Sequence, residues 1–596
     1  MSAPPATLCE AFQRVAAIDP DTVAVRTVGG TQTLTWREYG AQVREVAAGF
    51  AALGVGRGDT VALMMANRTE FYPVDVGALH AGATSFSVYN TLAPDAIRYV
   101  LGNAGARVVV CEAQYVERVR ETGVVDRIVV VDAEPGEAPD GTISLAELKN
   151  LGSADFDFEA AWRAVQPEDV ATLIYTSGTT GDPKGVESTH AALLFEANAV
   201  SAVLPVEYGD RITSFMPSAH IADRVTALYF QLVFGTQITV VTDPRQIVAA
   251  VRDCRPTIWG AVPRVWEKLK VAIELAVAHE PDEQRREELE WAVEVGNRRL
   301  DHLRAGTPVP PELEAEYAKA DAAVLTGLRD MLGFGGLKWA VSGGAPIPGG
   351  TLAFFAALGL PISEIWGMSE LTCIASTFPA DPAKLGTVGR ILPGMETRIA
   401  EDGELFVRGP LVMKGYRGDP ARTAEAIDAE GWLATGDVVT ADDDGVLTIV
   451  DRKKDLIINA SGKNMSPANI ENAIKAASSL IGGVAAIGDG RPYTTALITL
   501  DPEAAAALAP DGRKAELARD PEILTRVAAA VTSGNAKLSR VEQIKRFHLL
   551  PVVWEPGGDE LTLTMKLRRK PIAAKYAATI DRLYADPLPD DVHEPR

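Results

Sequence analysis

The sequence predicts an α/β fold, with mainly parallel sheets in a large N-terminal domain and a smaller α+β domain at the C-terminus. Two observations carry this prediction. Short runs of β-branched residues alternate with helical patterns through the first half of the chain, which is typical of βαβ units. The chain has 596 residues, several times the usual length of one domain, and its pattern changes near residue 450.

The elements of the first half follow from residue spacing. Apolar residues recur at helical spacing over Tyr39–Leu53, and Gly54–Gly58 then separates this helix from a strand over Thr60–Met65. Further β-branched runs, each bounded by turn or charged residues, predict the strands Arg107–Cys111, Arg127–Val131, Gln237–Val241 and Thr257–Val262. Because helical segments separate these strands, we expect largely parallel sheets.

Two later regions have a different pattern. Residues 267–330 are rich in Glu, Lys, Arg and Ala, and they predict two or three solvent-facing helices broken at Pro281 and at Thr307–Pro311. We interpret this region as a helical insertion on the surface of the core. Beyond residue 450, strands over Gly482–Ile487 and Tyr493–Leu500 precede an alanine-rich helical stretch. These about 140 residues are enough for an independent domain.

Composition excludes several classes of function. A hydrophobic share of 47% with 23% charged residues is typical of a soluble globular protein. The net charge of −22 repels phosphate backbones, so a nucleic-acid partner is not expected. The four cysteines are far apart and lack metal-ligand spacing, which disfavours zinc and disulfides and favours a cytoplasmic protein: Cys9, Cys111, Cys254 and Cys373.

The sequence does not predict a membrane protein. The N-terminal residues MSAPPATLCEAFQRV lack the basic and apolar regions of a signal peptide. Two long uncharged stretches, Val225–Thr242 and Trp339–Ile362, are interrupted by polar residues or by glycines and prolines. Since a spanning helix needs about 20 mostly apolar residues, we expect buried helix–strand units in both stretches.

The strongest chemical signal is the segment from Tyr175 to Val186, which reads YTSGTTGDPKGV. It follows an apolar strand, Val170–Ile174, and precedes a helix over His190–Val200. Small residues let the backbone approach an anion closely, and N–H groups and hydroxyls then donate to phosphate oxygens. The spacing differs from that of a Walker A loop, so a P-loop kinase fold is not expected. The predicted phosphate-binding residues are Thr176, Ser177, Gly178, Thr179, Thr180, Gly181 and Lys184.

This segment resembles the phosphate-binding loop of the adenylate-forming superfamily, which includes acyl-CoA synthetases, luciferases and the adenylation domains of peptide synthetases. Six further motifs of that family follow in the expected order, so the resemblance extends over nearly the whole chain. They are Pro217–Arg224 (PSAHIADR), Val341–Pro346 (VSGGAP), Trp366–Glu370 (WGMSE), Gly431–Asp437 (GWLATGD), Asp451–Leu456 (DRKKDL) and Thr562–Arg568 (TLTMKLR). The resemblance implies the adenylate-forming fold, with an adenylation domain over 1–450, a hinge over 451–455 and a mobile domain over 456–596.

The resemblance also implies the parts of an ATP-dependent carboxylate activation. Glu370 is expected to hold the Mg²⁺ that bridges the phosphates, since carboxylate oxygens suit hard cations. Trp366 stands where the family usually has tyrosine, and its ring is expected to stack on adenine. Asp437 is expected to accept the ribose hydroxyls, with Arg452 on the ribose or phosphate side. The other nucleotide-binding residues implied are Gly343, Gly344, Ala345, Gly367, Met368 and Ser369.

Further residues are assigned by the resemblance. Lys566 is expected to neutralise the charge that develops between the carboxylate and the α-phosphate during adenylation. His220 matches a family position beside the acyl carboxylate, with an ordinary structural histidine as the alternative. Lys454 is the expected hinge residue. We interpret Asp223 and Arg224 as a structural ion pair.

The substrate prediction rests on Val262–Lys268 (VPRVWEK) and the helical insertion, which resemble long-chain fatty acyl-CoA synthetases. Apolar residues within Ser214–Val241 either line a tunnel for the acyl chain or belong to the core. No carrier-type serine motif follows Lys566, so we expect a long-chain-fatty-acid–CoA ligase that uses ATP, Mg²⁺ and coenzyme A. The alternatives are a fatty acyl-AMP ligase that loads a separate carrier protein and a catalytically silent nucleotide- or lipid-binding relative.

The basic patch at 568–575 could contact anionic lipid, although the net charge argues against strong membrane adhesion.

Overall fold

The computed structural model describes residues 3–176, 182–459, 464–509, 514–555, 557–562 and 565–595. The chain forms two compact units. The first comprises the residues up to Gly344 together with Leu352–Thr397 and Val407–Leu433. The second comprises Ala345–Thr351, Arg398–Phe406 and the chain from Ala434 onward. The predicted domain boundary near residue 450 lies within the second unit, and the division into 1–450, 451–455 and 456–596 stays a prediction.

A five-stranded parallel sheet lies in the first unit. Its strands are short and rich in valine, and side chains of the strand Thr60–Met64 are buried on both faces. Such continuous burial is typical of a parallel sheet covered by helices. The strand order is Thr84–Ser87, Thr60–Met64, Val108–Cys111, Arg127–Val130 and Ile143–Ser144, with every pairing parallel.

Three smaller sheets complete the part of the first unit that concerns function. One has the order Arg211–Ser214, Gln237–Val240, Val23–Thr27 and Thr33–Thr35, and only its last pairing is antiparallel. A second is parallel, with the order Ile258–Ala261, Trp339–Ser342 and Ile362–Glu364. The third is antiparallel, with the order Gly415–Tyr416, Lys184–Thr189 and Val170–Thr176. Short strands at Ser376–Thr377 and Arg390–Ile391 pair with each other. The predicted α/β fold with mainly parallel sheets is confirmed.

The segment around the phosphate-binding motif differs from the sequence-based expectation. The predicted apolar strand over Val170–Ile174 extends to Thr176, and a second strand, Lys184–Thr189, precedes the helix. The two strands form an antiparallel hairpin. The second strand has the sequence KGVEST, whose single β-branched apolar residue gives a weak strand signal, and pairing with two neighbours stabilises it instead.

Several helices of the first 430 residues begin at a side-chain cap, as at Thr7, Thr35, Ser144 and Thr189. Thr35 and Glu38 form a capping box at the start of Trp36–Ala52, which begins three residues before the predicted helix Tyr39–Leu53 and ends one residue before it. The other helices are Leu8–Ala16, Phe71–His80, Pro94–Ala104, Val116–Arg120, Leu145–Leu151, Phe158–Arg163, His190–Ser201, Ile221–Asp223, Phe230–Phe234, Ile247–Cys254, Gly349–Ala357 and Pro420–Ala426. A π-helical turn spans Arg224–Tyr229.

The helical insertion breaks at the predicted places. Its helices are Pro263–Ala278, Glu283–Arg304 and Pro311–Ala320, followed by a π-helical turn at Asp321–Leu325 and the helix Thr326–Leu332. The insertion is less solvent-facing than its composition suggests, because Trp266, Leu269 and Ile273 of the first helix are buried. It therefore contributes to the core of the first unit as well as to its surface.

The second unit has its own hydrophobic core. A three-stranded sheet of the order Ile481–Ile487, Thr495–Leu500 and Arg546–Leu549 packs against the helices Pro467–Lys475 and Pro521–Asn535. The strands Leu433–Ala441 and Leu447–Arg452 form an antiparallel pair. The strands Ile457–Ile458 and Asn464–Met465 also belong to this unit, as do the helices Pro502–Leu508, Arg569–Lys575 and Ala577–Arg582. The strands Glu396–Ile399 and Glu404–Arg408 contain residues of both units.

The two uncharged stretches form buried helix–strand units, as predicted. The first stretch contains the helix Phe230–Phe234 and the strand Gln237–Val240, and the second contains the strand Trp339–Ser342 and the helix Gly349–Ala357. Throughout the described ranges, no helix combines the length and the hydropathy needed to cross a bilayer.

Candidate active site

Two predicted nucleotide-binding segments lie side by side at one edge of the three-stranded parallel sheet. The strands Trp339–Ser342 and Ile362–Glu364 are parallel neighbours, so their carboxyl ends meet there. Gly343 and Gly344 follow the first strand, and an added Cβ at Gly343 would lie 2.4 Å from the Ile365 side chain. Gly344 has a φ of +82°, which favours glycine. Ala345 is exposed. Ligands of open α/β sheets commonly bind at this edge.

The turn that contains Glu370 is tightly constrained. Trp366 is 8% exposed, and its backbone pairs with Ser376. A Cβ at Gly367 would lie 1.7 Å from the carbonyl oxygen of Cys373, so only glycine fits there. Met368 accepts the N–H of Leu371 at the start of a 3₁₀ turn over Ser369–Leu371. Thr372 closes the turn with a φ of +66°, and its hydroxyl donates to the carbonyl of Leu411 at 2.8 Å.

The predicted phosphate-binding segment is the connection of the antiparallel hairpin. Thr176 and Lys184 are directly paired across the two strands, so they flank the connection on both sides. The predicted residues Ser177, Gly178, Thr179, Thr180 and Gly181 lie outside the described residues.

Tyr416 joins this hairpin to Glu370. Its backbone pairs with Val186 in the second hairpin strand, and its hydroxyl donates to Oε1 of Glu370 at 2.9 Å. The Lys184 ammonium lies 4.5 Å from the centre of the Tyr416 ring, within reach of a cation–π interaction. Burial, reinforced by the Glu370 carboxylate, raises the pKa of Tyr416. Tyr416 was not predicted from the sequence, because the short strand Gly415–Tyr416 carries no periodic signal.

Glu196 is a second residue that the sequence analysis missed. It lies in the helix His190–Ser201, directly after the hairpin, and is 1% exposed. Its Oε1 accepts the N–H of Ile374 at 2.5 Å, four residues beyond Glu370. Burial raises the pKa of Glu196 well above its ordinary value. A single carboxyl group in the apolar run HAALLFEANAV was a visible signal, because buried charges need a partner or a proton.

His220 caps the short helix Ile221–Asp223. Its Nδ1 accepts the N–H of Ala222 at 3.1 Å, so a neutral ring carries its proton on Nε2. This hydrogen bond fits the alternative of a structural histidine. The contact of His220 with an acyl carboxylate stays a prediction.

The predicted ion pair between Asp223 and Arg224 is wrong. Arg224 binds Asp75 at 2.6 Å, and both side chains are fully buried. Asp223 instead accepts the hydroxyl of Ser214 at 2.8 Å, and burial raises its pKa to about 7. Successive residues at the start of a helix point in different directions, so adjacency in the sequence did not place the two charges together.

In the second unit, the structure brings together the two residues predicted to bind ribose. Asp437 and Arg452 are cross-strand partners, and Nε of Arg452 lies 2.5 Å from Oδ1 of Asp437. Asp437 is buried. Lys454 is exposed in the following turn, in which the N–H of Asp455 donates to the carbonyl of Arg452 at 2.9 Å.

Lys566 lies at the end of a tight turn in the second unit. Leu561 and Leu567 pair across the turn, and the N–H of Lys566 donates to the hydroxyl of Thr562 at 3.0 Å. Met565 precedes it with a φ of +65°. The Lys566 side chain is exposed on its own unit.

The chain matches known proteins over most of its length. The family described as AMP-binding enzyme matches residues 12–417, and the AMP-binding enzyme C-terminal domain matches residues 454–587. A Mycobacterium tuberculosis protein provisionally named fatty-acid–CoA ligase fadD11 is 62% identical over 460 residues, 76% of this chain and 81% of that protein. Long-chain-fatty-acid–CoA ligase FadD15 of Mycobacterium bovis is 35% identical over 95% of each chain.

A solved structure extends the comparison to the fold. O-succinylbenzoate CoA synthetase (MenE) of Bacillus subtilis, in complex with the acyl-adenylate OSB-AMP, superposes with a TM-score of 0.68. It is 22% identical and covers 96% of this chain and 98% of its own. Together the matches confirm the predicted adenylate-forming fold and the resemblance to long-chain acyl-CoA synthetases.

Proposed function

Because the chain belongs to the AMP-binding enzyme family, we propose that it activates a long-chain fatty acid with ATP and transfers the acyl group to coenzyme A. In the first step a carboxylate oxygen attacks the α-phosphorus, and the bond to the β-phosphate breaks and releases pyrophosphate. In the second step the thiolate of coenzyme A attacks the carbonyl carbon, and AMP leaves. The names of the two mycobacterial relatives support this choice of acid and acceptor.

The observation that carries the proposal is the cluster of Lys184, Tyr416 and Glu370. The first step joins two anions, so charge must be neutralised and the groups aligned at one place. Lys184 supplies a positive charge beside the phosphate-binding connection, and Glu370 supplies a hard oxygen ligand within the same cluster. The relatives named as ligases favour an active enzyme over a catalytically silent binding protein.

The residues of the cluster fit a magnesium ion that the nucleotide helps to coordinate. In the described part of the chain, no three His, Cys, Asp or Glu side chains lie close enough to hold a metal by themselves. Mg²⁺ is commonly held by one or two carboxylates together with substrate phosphates, and Glu370 is the carboxylate we assign. When bound, the ion would neutralise phosphate charge. The N–H of Met413 donates to the carbonyl of Glu370 at 2.9 Å and fixes the backbone of this ligand.

The other predicted residues have separate roles in this proposal. Asp437 accepts the ribose hydroxyls, with Arg452 orienting its carboxylate. Lys566 neutralises the charge that develops during adenylation, and Lys454 is the hinge about which its domain moves between the two steps. His220 donates from Nε2 to the acyl carboxylate while Nδ1 remains bound to Ala222.

We assign the acyl chain to a cavity within the helical insertion. The indole N–H of Trp266 donates to the carbonyl of Val341, in the strand that leads to Gly343. One and two turns further along the same helix, Leu269 and Ile273 line a cavity of about 290 Å³ whose other walls are mainly apolar. The helix from Trp266 onward therefore contacts the strand that leads to Gly343 near one end and lines mainly apolar space near the other, which supports this assignment.

A panel of saturated acids from C2 to C24, with ATP and coenzyme A, tests the proposed function by AMP release. We expect turnover with acids of about twelve or more carbons and little with acetate or benzoate, since each buried CH₂ contributes about 0.8 kcal/mol. Equal turnover on acetate and palmitate would contradict the proposal. Supplying the preformed palmitoyl adenylate with coenzyme A or with a holo-carrier protein separates the CoA ligase from the carrier-loading alternative.

A glycine pair tests the assignment of the cavity. Gly327 lines the cavity, and a Cβ built there meets no atom within 4 Å. Gly327→Phe should therefore shorten the space and lower kcat/KM for the longest acids by about fourfold per excluded CH₂ while sparing C8. Gly102, in the exposed part of the helix Pro94–Ala104, also has no atom within 4 Å, so Gly102→Phe is the matched control. A uniform effect of Gly327→Phe on all chain lengths would exclude the cavity as the acyl site.

A further inference from the structure

Tyr416 contacts two parts of the candidate site that are far apart in the sequence. Its hydroxyl donates to Oε1 of Glu370 at 2.9 Å, and the face of its ring lies 4.5 Å from the ammonium of Lys184. The side chain is 8% exposed. Tyr416 is therefore a rigid aromatic group between the proposed metal ligand and the proposed phosphate-binding lysine.

The backbone on both sides of Tyr416 is fixed as well. Its N–H donates to the hydroxyl of Thr423 at 2.9 Å, and its strand pairs with the strand that begins at Lys184. An aromatic side chain has only two rotatable bonds, and burial together with the hydrogen bond to Glu370 restricts both, so the ring and the hydroxyl are held together. A displacement of Glu370 relative to Tyr416 is thus also a displacement relative to Lys184.

We propose that Tyr416 is a positioning residue that orients the carboxylate of Glu370 for Mg²⁺ and holds Lys184 at the distance of the nucleotide phosphates. The inference rests on the proposed function, because it takes Glu370 as the metal ligand. With Oε1 held by the tyrosine hydroxyl, the carboxylate is fixed in rotation before a ligand binds. Partners in the second coordination shell commonly set metal affinity in this way, and their loss costs about 10- to 100-fold.

Calorimetric titration of ATP, with and without Mg²⁺, tests the proposal without relying on turnover. Tyr416→Phe keeps the ring beside Lys184 and removes the hydroxyl, so metal-free ATP should bind within about twofold of wild type. The gain in ATP affinity on adding Mg²⁺ should fall about tenfold, the effect of losing one hydrogen bond to a charged group. Tyr416→Leu also removes the ring, so it should weaken metal-free ATP binding as well, by about threefold or more.

A matched control exists in the second unit. The hydroxyl of Tyr576 donates to Glu560 at 2.7 Å, and Lys575 lies 6.0 Å from its ring, so the same three residue types meet there. Tyr576→Phe removes an equivalent hydrogen bond and should leave both titrations unchanged. If it lowers the Mg²⁺ effect as Tyr416→Phe does, the effect is a general loss of stability and the proposal is wrong.

A double-variant cycle shows whether Tyr416 acts through Glu370. In the Glu370→Gln background, Tyr416→Phe should no longer change the Mg²⁺ effect, whereas a merely structural tyrosine would add its full cost. If Glu370→Gln changes the Mg²⁺ effect and Tyr416→Phe does not, the positioning role is refuted and the proposed function stands. If Glu370→Gln changes nothing, the metal ligand itself is misassigned, and both the proposal and that part of the proposed function fail.

Discussion

The buried carboxyl group of Glu196 is expected to lower the stability of the protein as the pH rises. The pH dependence expected of an ordinary surface glutamate has the opposite sign. The side chain is 1% exposed, Oε1 accepts the N–H of Ile374, and Oε2 has no hydrogen-bond partner among the described residues. Burial raises its pKa well above the ordinary value of 4.5. The native protein therefore keeps a proton on Glu196 that the unfolded chain releases above pH 4.5.

The pH dependence follows from this difference in bound protons. Below pH 4.5 the carboxyl group is protonated in both states, so it does not lower the free energy of unfolding. As the pH rises from 4.5 toward the native pKa, the free energy of unfolding falls, because only the unfolded chain releases the proton. In this window the free energy of unfolding of the wild type falls by about 1.4 kcal/mol per pH unit relative to Glu196→Gln, which has no titrating group. The glutamine oxygen can still accept the N–H of Ile374, so the variant should gain in relative stability from pH 5 to pH 7.

Urea titrations at pH 5, 6 and 7, followed by tryptophan fluorescence, measure this difference, because eight of the nine tryptophans precede residue 434. Glu364→Gln is the comparison variant, since burial raises the pKa of Glu364 to about 7. Its stability difference should grow at the same rate and level off near pH 7, after about 3 kcal/mol. A pH-independent difference for Glu196→Gln would refute the reasoning, because it would mean that the native carboxyl group is ionised.

Two further predictions concern the half-reactions. Lys566→Ala should lower acyl-adenylate formation by about 10²–10³-fold, which is the usual effect of losing one oriented electrostatic donor. Thioester formation from a supplied acyl-adenylate should continue. A wild-type rate of adenylation in pyrophosphate exchange would disprove the assigned role. Lys454→Pro should trap one pose of the mobile domain, because proline fixes φ near −65°. Adenylation should then stay within about tenfold and thioester formation should fall much further; equal losses in both would point to misfolding or to another hinge.

Sequence reasoning succeeded where one local property decides the structure. Three strands of the five-stranded sheet were predicted to within a residue, since β-branched runs bounded by turn residues identify buried parallel strands. The other two, Thr84–Ser87 and Ile143–Ser144, were not predicted, because they are short and lack such a run. The helical insertion breaks where prolines and small residues interrupt its charged pattern. Seven family motifs in order were enough to predict the fold without any structural information.

Sequence reasoning failed where a residue's partner is distant in the chain. Arg224 binds Asp75, 149 residues away, although Asp223 is its neighbour in the sequence. Tyr416 reaches Glu370 across 46 residues, through a strand of two residues with no pattern of its own. The pairing of Gly415–Tyr416 with Lys184–Thr189 places Tyr416 beside Lys184, and no periodicity in a single sequence encodes this pairing.

The buried pair of Asp75 and Arg224 has a consequence for how this sequence can diverge. Removing one member leaves an uncompensated buried charge, which costs about 3–5 kcal/mol, whereas replacing both by apolar residues of similar volume is often neutral. The double replacement must begin with a single substitution, and the loss of about 3–5 kcal/mol at that step is a large part of the stability of a typical domain. Sequence drift is therefore blocked at both positions together, and descendants should retain the pair whatever acid their active sites come to accept.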